Sequence, residues 1–215
     1  MPGHKRTFII TSVIYFSRNK LSYSSIRSKF TPEERTEQTI KTVKSIRERM
    51  PDAEIILLEM GKRKNISADL TELVDKYLFI GNNPLVNWAC SGKFKGLGEA
   101  VGLIVSGSRL HTNADFYFKI SGRYFLNDDF SAEAWNSSSF LARKYDSAIS
   151  TRLYGFGQEI FSDWQRALKR SLILLYKGRS IEEVFPEKFG QQFIQSIPTL
   201  GISGFVAPQG EYLTE

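Results

Sequence analysis

The chain has 215 residues, 41% of them hydrophobic and 24% charged, a soluble globular composition long enough for one sizeable core. Lys and Arg total 29 against 23 acidic residues, and the resulting +6 favours an anionic ligand or surface without demanding nucleic acid. The single Cys90 excludes an internal disulfide and any zinc site built on several thiolates, and it suits a reducing compartment.

Residues 7–15 read as a first strand, dominated by Phe8, Ile9, Ile10, Val13 and Ile14. Thr11 and Ser12 break this apolar stretch early and no small-residue cleavage pattern follows, so it is not read as a signal peptide. No apolar run approaches the ~20 residues needed to span a bilayer. The expected location is the cytoplasm, with peripheral membrane contact through the basic surface as an option. A polar loop, 16–30, leads to Thr31-Pro32-Glu33-Glu34, which carries a capping residue, a first-position proline and a capping-box Glu. Ile40, Val43, Ile46 and Met50 then recur at helical spacing. Pro51-Asp52 closes that helix, and residues 54–59 form a second buried strand.

The alternation continues. Ser67 opens a short helix through Asp75, residues 77–80 make a third strand, and Leu97, Ala100, Val101, Ile104 and Val105 form an apolar helical stripe before a strand at 116–120. Strands and helices in this order indicate an α/β fold, with a mostly parallel central sheet and helices on both faces. Beyond Asp129 the pattern changes. Residues 147–152 read as a short strand, Ile160 to Leu175 as a longer helix ended by Gly178, and 180–185 as a short helix. The tail, with Pro198, Gly201, Gly204, Pro208 and Gly210, reads as irregular. No repeat or linker divides the chain, so one domain over residues 1–215 is expected.

The segment 115–129 concentrates the chemistry. A buried strand stops at Ser121-Gly122, and Arg123, Asn127, Asp128 and Asp129 follow. Ligands of open α/β sheets bind beyond the carboxyl ends of strands. There Lys119 and Arg123 suit a phosphate, as point charge and planar fork respectively, and nearby carboxylates suit acid/base work.

The layout resembles the nucleotide-sugar-binding core of a GT-A-type glycosyltransferase, a Rossmann-like nucleotide-binding core. It is similar to small bacterial and large-virus enzymes that build surface glycans. The resemblance rests on Thr11-Ser12 ending the first strand, the 35–47 segment of the first helix, Lys95-Gly96-Leu97-Gly98-Glu99-Ala100 opening a later helix, and Lys119-Ile120-Ser121-Gly122-Arg123-Tyr124. It covers roughly the first two-thirds of the chain, counting from the element order. It implies a nucleotide-diphosphate sugar donor and a glycan or lipid-linked acceptor. The base would lie near Thr11, Ser12 and Glu59, and the diphosphate would meet Arg123, with Lys95, Lys119, Ser121 and Gly122 in the same site. A carboxylate among Asp128, Asp129 and Glu159 would assist the acceptor. Many members hold a divalent metal with Asp-x-Asp at this strand end. Here Ser121-Gly122-Arg123 takes its place, and Asp-x-Asp occurs nowhere in the chain. No metal ligand is therefore assigned, and manganese or magnesium remains only an option through Asn127-Asp128-Asp129.

His4 and His111 support neither a metal site nor a triad. Of the tryptophans, Trp135 is the candidate sugar platform because a polar run follows it, while Trp88 and Trp164 read as packing groups. Two other functions stay open: a catalytically silent nucleotide-sugar-binding protein on the same fold, and a basic nucleic-acid-binding module. No nucleic-acid motif supports the second, so nucleic acid is not an expected partner.

Overall fold

The computed structural model describes residues 5–135 and 138–215. Its strands and helices run β1 (Arg6–Ser12), α1 (Pro32–Arg49), β2 (Glu54–Glu59), α2 (Ala68–Glu72), β3 (Lys76–Phe79), α3 (Pro84–Ser91), α4 (Lys95–Val105), α5 (Gly107–Leu110), β4 (Phe116–Ser121), β5 (Tyr124–Leu126), β6 (Phe140–Tyr145), β7 (Ala148–Gly157), α6 (Phe161–Tyr176), α7 (Ile181–Phe189), β8 (Ile194–Ser196), β9 (Ile202–Val206) and β10 (Glu211–Thr214).

The main sheet has seven strands in the order β3-β2-β1-β4-β7-β6-β8. β1 to β4 pair in parallel, β7 runs against β4 and β6, and β8 runs with β6, so β7 alone is reversed. The strands β1, β2 and β4 are buried almost throughout, as expected for a sheet covered on both faces. Ile9, Ile56 and Tyr117 face a core shared with α3, α4, α6 and α7. Phe8, Ile10 and Phe118 face the opposite core, shared with α1. Thr31 caps α1 as its sequence dictates: Glu34 N donates to Thr31 Oγ1 at 3.2 Å, and Thr31 N donates to Glu34 Oε2 at 2.7 Å.

The second sheet, β10-β9-β5, was not foreseen. The tail expected to be irregular supplies two of its strands, and the free edge of β5 is met by a helix instead of another strand. Thr39 Oγ1 donates to Gly122 O at 3.0 Å, Thr42 Oγ1 donates to Tyr124 O at 2.8 Å, and Leu126 N donates to Ser45 Oγ at 2.9 Å. This ladder of hydroxyls on α1 satisfies backbone groups that a sheet edge would leave unpaired. Hydroxyls on a helix face carry no strand periodicity, so the pattern is silent in sequence. Gly122 permits the approach, since a Cβ there would lie 3.1 Å from Thr39 Oγ1.

Two other readings change. The short strand expected at 147–152 is the ten-residue β7, which continues through Gly155 and Gly157. Trp135 is 1% exposed and packs on Phe118 at 5.3 Å between centroids, so it is a core residue and not a sugar platform. Trp88, read as packing, is the exposed one at 53%.

Candidate functional site

Register puts polar side chains side by side at the carboxyl edge of the parallel strands. Thr11 is opposite Ser121, and Ser12 is opposite Glu59. Backbone bonds seal this edge: Gly122 N donates to Thr11 O at 2.9 Å, and Met60 N donates to Ser12 O at 2.9 Å. A strand-to-helix crossover returns α1 and α4 with their first turns at the same edge, so Arg35 and Lys95 join it. A cleft results, in two adjoining compartments. Thr11, Ser12, Phe16, Arg35, Cys90 and Gly122 line the inner one, and Tyr23, Tyr124, Thr151, Arg152, Arg179 and Glu182 line the outer one, about 250 Å³ in volume. Lys95, Glu99, Ser121, Arg123 and Ala207 belong to both.

The cations are not equivalent. Arg27 is spent on the fold: its guanidinium donates to Cys90 O at 2.9 Å and Ser91 O at 3.2 Å, and also to Gly92 O, fastening the 16–30 loop to the carbonyl end of α3. Arg35, Lys95 and Arg123 have no ion-pair partner among the described residues. Arg35 sits over the Phe16 ring at 5.1 Å. Burial and the neighbouring charge of Arg123 pull its guanidinium down to about 9, which leaves it protonated at neutral pH. Lys95 is pushed well below the usual lysine range, first by burial and then by Arg123 and Arg35. Arg123 Nη1 is buried without a hydrogen-bond partner among the described residues. Arg35 and Lys95, both depressed by the neighbouring Arg123 charge, and an Arg123 donor with no hydrogen-bond partner among the described residues make an arrangement that can accept negative charge.

Arg123 is positioned by the unforeseen second sheet. Phe205 N donates to Arg123 O at 3.4 Å, and Gly204 allows β9 to pass, since a Cβ there would lie 2.2 Å from that oxygen. The C-terminal Glu215 ties the same region down. Its carboxylate accepts from Arg152 Nη1 at 3.0 Å and Ser150 Oγ at 3.2 Å, and from the Tyr145 hydroxyl.

Lys119 and Glu59 lie beneath the cleft. The Lys119 side chain is wholly buried, donates to Thr151 O at 2.8 Å and pairs with Glu99. It therefore does not project to a ligand, which corrects the expectation that it meets the diphosphate. Its β4 position turns it into the face covered by α4, while Ser121, two residues on, reaches the edge. Glu59 Oε1 accepts from Ile14 N at 3.0 Å and Gly61 N at 2.6 Å. Burial raises the Glu59 carboxyl, and hydrogen bonds from Ser12, Ile14 and Gly61, together with the charge of Arg35, pull it back. It shapes the loop after β1 and does not line the cleft. The glycines of Lys95-Gly96-Leu97-Gly98-Glu99 serve packing: a Cβ on Gly98 would meet Cys90 Cα at 3.0 Å, and one on Gly96 would meet Ile181 Cβ at 3.0 Å.

The three carboxylates expected at the acceptor are elsewhere. β5 descends along α1 from Gly122, so Asp128 arrives at the far end of that helix, paired with Arg49 and with its side chain 99% exposed. Asp129 is exposed beside it, its N–H donating to Asn127 Oδ1 at 3.0 Å. Glu159 follows β7, and because β7 is antiparallel its carboxyl end meets the start of β4: Gly157 is opposite Phe116, and Gln158 N donates to Asp115 O at 3.0 Å. All three lie at the amino edge of the parallel strands. The carboxylates that do face the cleft are Glu99, 20% exposed, and Glu182, which accepts from Thr151 Oγ1 at 3.0 Å.

The strand end also bears on a metal. Ser121, Gly122 and the Arg123 cation offer no carboxylate, Glu99 is paired with Lys119, and the described residues contain no cluster of three His, Cys, Asp or Glu. This donor set does not fit a divalent ion held by carboxylates. Cys90 lines the inner compartment, but burial pushes its thiol up to about 12, far from a reactive thiolate.

Sequence carried little warning of Arg35, Glu99 and Glu182 as cleft residues. For Arg35 the available signal was topological, since a helix that follows a parallel strand begins at the carboxyl edge; Glu99 and Glu182 sit on α4 and α7, which follow other helices and carry no such signal.

No protein-family model matches the chain, and no curated protein matches its sequence. Solved structures do. The galactosyltransferase LgtC, crystallised with donor and acceptor sugar analogues, is similar at a TM-score of 0.51 and 8% identity, over 88% of this chain and 72% of that one. GlyE, a glycosyltransferase of Streptococcus pneumoniae TIGR4, is similar at 0.53 and 10% identity over 91% of this chain. The bifunctional glycosyltransferase WbbM is similar at 0.55 and 10% identity, also over 91%. The match spans less than half of GlyE and of WbbM, at 46% and 39%. With its parallel strands, single reversed strand and carboxyl-edge cleft, the chain has the GT-A-type fold found in glycosyltransferases.

Proposed function

We propose that the chain is a glycosyltransferase that moves a sugar from a nucleotide-diphosphate donor to a glycan or lipid-linked acceptor. The observation that carries this reading is the convergence of Arg35, Lys95 and Arg123 on one cleft, with Arg123 Nη1 buried and without a hydrogen-bond partner among the described residues. Thr11, Ser12, Ser121 and Gly122 would receive the nucleotide end at the tips of β1 and β4. The three cations would hold the diphosphate and stabilise it as it departs, so that catalysis rests on positioning and charge and not on a carboxylate-bound metal. Glu99 and Glu182 lie where an acceptor hydroxyl would enter, in the outer compartment.

A thermal-shift screen of nucleoside diphosphates and nucleotide sugars, each with and without manganese, tests the binding step. A ligand that binds only the folded state raises the unfolding temperature. Stabilisation by a nucleoside diphosphate without manganese is expected, and stabilisation that requires manganese would remove the cation receptor from the reading. Release of the nucleoside diphosphate from a stabilising donor then separates a transferase from a silent binding protein.

A further inference from the structure

Helices α3 and α6 leave four large apolar side chains in water on one face. Leu85 and Trp88, one turn apart on α3, are 52% and 53% exposed. Ile173 and Tyr176, one turn apart on α6, are 70% and 60% exposed. The Trp88 and Tyr176 rings stand 6.0 Å apart between centroids, which joins the two pairs into one patch. The exposed residues Lys169, Arg170 and Lys177 lie four and three residues before Ile173 and four after it, on the same face of α6. No Asp or Glu occurs between Asp163 and Glu182, or between Asp75 and Glu99, so both contributing segments carry cations alone.

We propose that this face seats on an anionic membrane surface. Trp and Tyr favour the bilayer interface because one end of each is apolar and the other polar, and flanking Lys and Arg are drawn to anionic headgroups. A protein partner fits less well, because flanking segments that carry cations and no carboxylate match a uniformly anionic surface better than a protein surface of mixed charge. A polynucleotide fits less well too, because here the cations flank an aliphatic and aromatic centre. No helix among the described residues is long and apolar enough to cross a membrane, so the contact is with the surface.

The patch borders the cleft. Gly178 and Arg179, which line the outer compartment, come directly after Tyr176-Lys177. Phe94, on the same wall, has Cε1 2.8 Å from where a Gly178 Cβ would sit. Docking turns that opening towards the headgroups, where an acceptor carried on a lipid reaches it. This last consequence rests on the transferase reading, whereas the docking itself does not.

Vesicle sedimentation decides the matter and requires no turnover, so its failure is distinct from failure of the transfer reaction. The protein should pellet with phosphatidylcholine vesicles containing phosphatidylglycerol, should not pellet with phosphatidylcholine alone, and should be released by high salt. Binding should also shift tryptophan emission to the blue, since Trp135 and Trp164 are already buried and only Trp88 changes environment. Lys169→Glu/Arg170→Glu should weaken vesicle binding at least ten-fold, and Ile173→Ser/Tyr176→Ser should do the same without changing charge. Trp88→Phe should retain binding and lose the emission shift. Unchanged pelleting of both double variants, or binding to heparin or polyuridylate without binding to vesicles, would overturn the proposal.

Discussion

The two edges of the parallel strands spend their charge differently. At the amino edge, Arg49 pairs with Asp128, Thr7 Oγ1 donates to Glu54 Oε2 at 2.9 Å, and Lys5 N donates to Asp115 Oδ2 at 2.9 Å. At the carboxyl edge, Arg35, Lys95 and Arg123 crowd together, and none has an ion-pair partner among the described residues. Burying like charges together costs stability unless a ligand offsets it. The contrast separates an edge whose charges are paired from one whose cations have no ion-pair partner among the described residues, and the proposed binding role rests on the second.

The largest expected effect lies just beneath the binding edge. Lys119→Met leaves Glu99 without its buried partner and should destabilise the fold by about 3–5 kcal/mol in guanidinium unfolding. The double variant Lys119→Met/Glu99→Met should recover most of that loss. A single variant as stable as the parent would show that the pair contributes nothing.

Next comes Arg123→Ala, which should weaken binding of a stabilising nucleoside diphosphate by about 1.5–3 kcal/mol in calorimetric titration. Arg123→Lys should recover only part, because it keeps the charge and loses the fork. Equal affinities of all three proteins, with matching circular dichroism, would remove Arg123 from the receptor.

Lys95 adds a pH dependence with a definite sign. Its amine in the free protein titrates below 10.5, and a bound diphosphate raises it again. Between those two values binding must take up protons, and affinity must fall as pH rises. Titrations in buffers of different ionisation enthalpy should show that uptake, and Lys95→Met should reduce it to the part that Arg35, at about 9, supplies. Proton release on binding would reverse the assignment.

The smallest effects belong to the amino edge. Asp128→Ala and Glu159→Gln should leave nucleotide affinity and donor turnover at parental values, because both groups stand at the wrong end of the strands. Loss of turnover in either variant, with normal stability, would break the contrast between the edges.

Much of this was legible in the chain because it is local. The capping box at Thr31 is written in four residues, and strands buried on both faces read as continuous apolar runs. The strand-then-helix order placed Thr11, Ser12, Ser121, Gly122 and Arg123 together, since a parallel sheet brings successive strand ends to one edge. Only the tertiary structure decided the rest. The reversal of β7 carries Glu159 to the opposite edge, and a reversed strand has the same side-chain period as a parallel one. The descent of β5 along α1 removes Asp128 and Asp129, through hydroxyls whose partners are more than eighty residues away. Lys119 looks like a ligand cation in sequence because charge is visible there and strand facing is not. Its burial against Glu99 follows from its facing the layer that holds α4 and not the layer that holds α1, and that is a property of the assembled layers and not of any segment alone.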